Sequence, residues 1–208
     1  MQRLFSPAWK PYALGSLQHY ILSRKNLWSV RPEWNWQDNF LNALIGLFSG
    51  ETSGIVSYNG IAIDRLNMPL LRRQKISYVE QTPVMLNMPV KAFLNFGIEQ
   101  SQSVAETQKM LIEMLEIDGL LTKDINENGS NLSGGEKQKL SIVRALSKES
   151  FLILLDEPTS ALDKDSIEKL MTLLKQRKTQ AIILLVSHDQ KVLEQCDEVI
   201  DISDLRGN

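Results

Sequence analysis

Leu132-Ser133-Gly134-Gly135-Glu136-Lys137-Gln138, followed downstream by Phe151-Leu152-Ile153-Leu154-Leu155-Asp156-Glu157, decides how this chain is read. The first run opens a helix on a serine and two glycines. The second is an apolar strand that ends in two carboxylates. A glycine-flanked helix N-terminus offers backbone N–H groups and the positive end of the helix dipole, which suits a phosphate. Asp156 at the strand exit suits a Mg²⁺ ion, and Glu157 beside it suits a general base acting on water. Ser133 and Glu136 stand three apart, so the pair also reads as a capping box.

Working outward, Ser160-Ala161-Leu162-Asp163 follows the carboxylates, and the apolar run Ala181 to Val186 delivers Ser187-His188-Asp189. In this order and spacing the motifs resemble the ATP-binding cassette (ABC) family, over roughly Phe40 to the C-terminus. The resemblance implies an α/β fold of the P-loop NTPase kind: a mostly parallel central sheet, an antiparallel flap and a helical subdomain over about 82–145. It implies ATP and Mg²⁺ as cofactors. Ser133, Gly134, Gly135, Glu136 and Asp163 would contact the nucleotide held by a second copy of the domain. Glu157, His188 and Gln81 would be catalytic, with Asp156 and Gln81 at the metal. The partners it implies are a transmembrane permease subunit and a second ATP-binding domain, like or unlike.

The chain is long enough, at 208 residues, for one well-cored domain. A net charge of −2 gives no broad electrostatic grip on nucleic acid. The lone Cys196 argues against a disulfide framework and fits a reducing compartment. No apolar run approaches the roughly 20 residues that span a bilayer, and Met1 to Leu17 lacks the apolar core of a signal peptide. The expectation is a cytoplasmic protein, peripheral on the inner face of the plasma membrane through its partner.

The first 39 residues do not fit. All four tryptophans, Trp9, Trp28, Trp34 and Trp36, lie there, and the stretch shows neither strand alternation nor helical period. The resemblance requires a phosphate loop of glycines ending in Lys-Ser/Thr, in which backbone curls around phosphate and the lysine reaches the terminal phosphates. The register fixed by Leu41 to Leu47 places Arg31-Pro32-Glu33-Trp34-Asn35-Trp36-Gln37-Asp38-Asn39 on it. Trp34 and Trp36 then fill glycine positions, Gln37 the lysine position and Asp38 the Mg²⁺-binding hydroxyl position. Such a loop lacks room for phosphates and adds a repelling carboxylate. Tryptophan has a single codon, TGG, and reading one base later always yields glycine. The shifted frame permits Gly-Pro-Asn-Gly-Thr-Gly-Lys-Thr-Thr across 31–39. Residues 1–39 are therefore read as out of frame, with the 40–208 domain in its native frame. A loop diverged in the gene itself, in a pseudo-ATPase, is the alternative.

Downstream, Phe40 to Leu47 reads as a helix, and Gly54 to Tyr58 with Ile61 to Ile63 as a hairpin turning at Asn59-Gly60. Ile76 to Val79 is a half-buried strand leading to Glu80-Gln81. Thr82 to Gly97 is either a core-facing loop or, by the resemblance to export-type members, a seat for the permease. Ala105 to Leu121 shows near-helical spacing, and Ile167, Leu170, Met171 and Leu174 form an apolar face after Asp163. The function implied is the ATP-hydrolysing subunit of a transporter. An ABC ATPase remodelling DNA or ribosomes is a rival. Its DNA-repair members carry a long coiled coil before the signature run, whereas about fifty residues separate Gln81 from Ser133 here.

Overall fold

In a computed structural model of the chain, residues 13–14, 17–18, 27–31, 37–47, 56–58 and 60–201 are described, with side chains for 40–47, 56–58 and 60–200. Five strands form one all-parallel sheet: β3 (Leu27–Arg31), β6 (Ile76–Val79), β7 (Leu152–Asp156), β8 (Ile182–Val186) and β9 (Glu198–Asp201), in the order β6-β7-β8-β3-β9. Two-residue strands make two antiparallel pairs, β1 (Ala13–Leu14) with β2 (Leu17–Gln18) and β4 (Ser57–Tyr58) with β5 (Ile61–Ala62). The second pair turns where Asn59-Gly60 predicted, with Gly60 at φ +74°. Gly54 and Ile55 of the expected first strand lie outside the described residues, and Ile63 opens a 3₁₀ turn instead of extending the second.

The central strands are buried on both faces, as in a parallel sheet covered by helices. Every residue of β7 and β8 is buried. Their side chains alternate between two cores. Ile153, Leu155, Ile183 and Leu185 face a core shared with α3 (Val90–Asn95), α4 (Gln102–Leu115), α5 (Gly134–Ser147) and α6 (Lys164–Arg177). Leu152, Leu154, Ile182, Leu184 and Val186 face the other, with Leu41 and Ile45 of the α1 segment (Gln37–Leu44 and the turn after it), Tyr58 of the flap and Met68 of α2 (Met68–Gln74). α7 (Gln190–Leu193) leads into β9.

The helices begin where their caps are. Ser101, Ser133, Asp163 and Asp189 each accept a backbone N–H at the start of α4, α5, α6 and α7. The apolar face expected after Asp163 is core at Leu170, Met171 and Leu174, with Ile167 partly covered. Helix α1 begins at Gln37, earlier than Phe40, and ends before Gly46 at φ +67°. Within the five-stranded sheet, the strand that periodicity did not reveal is β3. It lies between β8 and β9 and pairs with both, Val30 standing beside Val186 and Ile200.

Candidate functional site

Three strands deliver their carboxyl ends to one edge of the sheet, the place where open α/β sheets bind ligands. Asp156 closes β7 opposite Val186, the last residue of β8, and Val30 stands on the other side of Val186. Ser187-His188 therefore emerges between the aspartate and the exit of β3. β3 ends at Arg31 on the same edge, and α1 begins at Gln37. Gln81 lies just past β6, exposed, at that edge as well. Trp34 and Trp36 lie outside the described residues, and of Gln37, Asp38 and Asn39 only the helical backbone is described.

The structure joins Glu157 and His188 directly. His188 Nδ1 lies 2.7 Å from Glu157 Oε1; the histidine side chain is 73% exposed and the glutamate 5%. The contact raises the imidazole pKa above its ordinary value, first through the hydrogen bond and then through the carboxylate charge. Glu157 takes φ +44°, a left-handed conformation uncommon for a residue with a side chain. Its N–H donates to Val186 O at 3.0 Å, so β8 holds the kink that follows β7. Backbone of this kind persists only where surrounding structure holds it, and it gathers at functional sites. Nothing in the amino-acid order announced it.

The second group of predicted residues gathers at the N-terminus of α5. Ser133 Oγ accepts the Glu136 N–H at 3.2 Å, and Glu136 Oε2 accepts the Ser133 N–H at 2.7 Å. The capping box read from the sequence is present. The Ser133 backbone bond, then its hydroxyl and the nearby Lys123, hold the Glu136 carboxyl below the usual range. A cavity of about 400 Å³ opens there, lined by Ser133, Gly135, Glu136, Lys139, Asp163 and Lys123 among others. Asp163 caps α6 through Ser166, whose N–H and hydroxyl both donate to it and hold its carboxyl low. Neither Glu157 nor His188 lines this cavity.

Glycine at the start of α5 has two different reasons. A Cβ on Gly134 would make ordinary contact with Ala161 Cβ at 3.7 Å, whereas one on Gly135 would stand 2.9 Å from the Ala161 carbonyl oxygen. Sequence reasoning also passed over Arg144. Its guanidinium lies 4.6 Å over the Phe93 ring, and burial lowers its pKa, with the Glu80 charge opposing that shift. Arg144 thus ties α5 to α3.

Residues 39–160 match the family described as ABC transporter. A Staphylococcus aureus relative, named as a candidate hemin import ATP-binding protein, is 32% identical over 170 residues, covering 79% of this chain and 76% of its own. The chain belongs to the ABC transporter family. It carries the family's ATP-binding domain. An ATP-dependent lipid A-core flippase of Cupriavidus metallidurans is 31% identical over 179 residues, which cover 82% of this chain but only 30% of the flippase. The chain thus spans under a third of that relative's length. A bacterial Atm1-family ABC exporter solved with ATP bound superposes with a TM-score of 0.79 over 92% of this chain and 34% of that one, at 19% identity. It shares the fold.

At the α5 end a capped helix of 14 residues, open space at its N-terminus, backbone without Cβ at two successive positions, and Lys123 and Lys139 suit a phosphate. The carboxylates of Glu116, Glu136 and Asp163 in the same lining work against it. Among the described residues no group of three or more His, Cys, Asp and Glu could hold a metal alone. Mg²⁺ is commonly held by one or two carboxylates with substrate phosphates and water, and Asp156 supplies a carboxylate at the end of β7. No described helix is long and apolar enough to cross a membrane.

Proposed function

We propose that this chain is the ATP-hydrolysing subunit of a transporter and drives substrate movement through a separate transmembrane permease subunit. The Glu157–His188 contact at the carboxyl edge of β7 and β8 carries the reading, because it pairs a buried carboxylate with an exposed imidazole beside the exit of β3. Glu157 would orient the attacking water and accept its proton, and His188 would approach the terminal phosphate. Asp156 and Gln81 would hold Mg²⁺, whose part is to neutralise phosphate charge. Ser133, Gly134, Gly135, Glu136 and Asp163 would meet the nucleotide of a second cassette, since neither Glu157 nor His188 lines their cavity. The working place would be the cytoplasmic face of the plasma membrane. The flippase relatives support export, and the hemin relative leaves import in play.

Within this reading, 40–208 is the cassette, 82–145 its helical subdomain and 1–39 a segment translated out of frame. Trp34, Trp36, Gln37 and Asp38, where glycines, lysine and a hydroxyl are needed, support the last point. One observation favours the second reading, a partner subunit whose phosphate loop diverged in the gene and which does not hydrolyse ATP. β3 is paired on both edges, as a native strand would be. Sequencing the DNA from about codon 15 to codon 45 decides between them. A plus-one frame that spells the complete loop, with an insertion or deletion near codon 39, establishes the frame error. A frame that spells nothing of the kind makes the diverged partner the better account. Fluorescent-nucleotide titration of the chain as written should show weak binding, and micromolar affinity for Mg-ATP would overturn the expected impairment.

A further inference from the structure

We infer that the first two turns of α5 and the 159–163 segment form one seam, in which Gly135, Gln138 and Lys139 are positioning residues that set where Glu157 stands. The inference rests on the reading of Glu157 as the catalytic carboxylate, and deepens it.

The geometry runs from helix to carboxylate. Gly135 lies against the Ala161 carbonyl so closely that a Cβ would stand 2.9 Å from the oxygen, and backbone cannot swing aside as a side-chain end can. Residues three and four further along share that helix face, which brings in Gln138 and Lys139. Lys139 Nζ reaches Asp163 Oδ2 at 3.7 Å from a mostly covered position. Gln138 is 1% exposed, and neither its amide nitrogen nor its oxygen has a hydrogen-bond partner. On the other side, Ser160 N–H donates to the Glu157 carbonyl at 3.2 Å and Leu162 N–H to the Thr159 carbonyl at 3.1 Å. Two short turns therefore connect Ala161 to Glu157, which already stands in left-handed backbone.

A shift of the α5 N-terminus must move the Ala161 carbonyl, and the turns pass that movement to Glu157. The unpaired Gln138 amide fits such a seam. Buried polar groups almost always have partners, and an exception marks a place where structure is not settled for stability alone. Its two polar atoms can take new backbone partners when the segment shifts. The coupling is a contiguous contact chain, and the claim is open to a direct test.

The chain has two histidines, His19 and His188, so the imidazole nitrogen spectrum of the full chain at one fixed pH reports on the Glu157–His188 contact. Glu157→Gln identifies the His188 signals and their position when the carboxylate is lost. Gly135→Ala should move them from the wild-type position toward that limit, and Gly134→Ala should leave them in place. Lys139→Met and Gln138→Met should move them less, in the same direction. If Gly135→Ala does not fold, these last two decide. Wild-type His188 signals in the folded variants would overturn the proposal, even if their melting temperatures changed, because a purely structural role alters stability without moving Glu157. No nucleotide is added, so a chain that fails to hydrolyse ATP leaves this result interpretable.

Discussion

Two helix N-termini in this molecule occupy comparable settings and could hardly differ more. Helix α5 begins with Ser133 as its cap, two glycines and a reciprocal Glu136 bond, beside open space. Helix α1 begins at Gln37, past a tryptophan-rich stretch that follows the central strand β3. Backbone topology alone makes both ends suitable for an anion. Side chains decide whether the anion can enter. Gly134 and Gly135 leave the backbone bare, whereas under the proposed register Trp34, Trp36 and Asp38 would oppose a phosphate by volume and by charge.

The largest effect that would sharpen the contrast concerns chemistry at the restored loop. In a chain whose 31–39 segment is replaced by Gly-Pro-Asn-Gly-Thr-Gly-Lys-Thr-Thr, Glu157→Gln should lower the ATPase kcat by about 10²- to 10⁴-fold while leaving nucleotide affinity near its starting value. A phosphate-release assay checks the rate and a titration the affinity; full activity in the variant would remove Glu157 from its role. The replacement itself should strengthen Mg-ATP binding by about 100-fold, since two or so charge-assisted hydrogen bonds at roughly 1.5 kcal/mol each give that factor. Equal affinity before and after would erase the difference between the two helix ends.

Ser133→Ala removes the cap at the intact end and should cost about 1 kcal/mol of unfolding free energy, read from the denaturant midpoint. No loss would mean that the box adds nothing to α5. The smallest effect is a pH dependence. His188 has its pKa raised by Glu157, so the stability it contributes is fully present below its unfolded value of about 6.5. That contribution fades as pH climbs through the higher folded value. The gap in melting temperature between the wild type and His188→Asn should therefore be wider at pH 6 than at pH 8, and a gap that widens with pH would contradict the ion pair.

Much of this was legible because it is local. The Ser133–Glu136 box, the buried strands 152–156 and 182–186, the Asp163 cap and the Asn59-Gly60 turn all depend on neighbours a few residues away. β3 was not legible. Its five residues, Leu-Trp-Ser-Val-Arg, carry no clean alternation, and the partners that make them a strand lie more than 150 residues downstream. Arg144 over Phe93 escaped notice for the same reason, since the two face one another only when α3 packs on α5.

The amino-acid order by itself determined the periodicities, the caps and the motif spacing, and so the α/β class, the family resemblance and the residues proposed to carry the chemistry. These follow from short-range sterics and hydrogen bonding along one segment of backbone. Only the tertiary structure decided that Glu157 turns through left-handed backbone to meet His188, that Gly135 and not Gly134 is required by a neighbouring carbonyl, and that the Gln138 amide is buried without a partner. Each of those depends on two segments brought together by burying apolar strands between helix layers, and no single stretch of sequence contains both halves of such a contact.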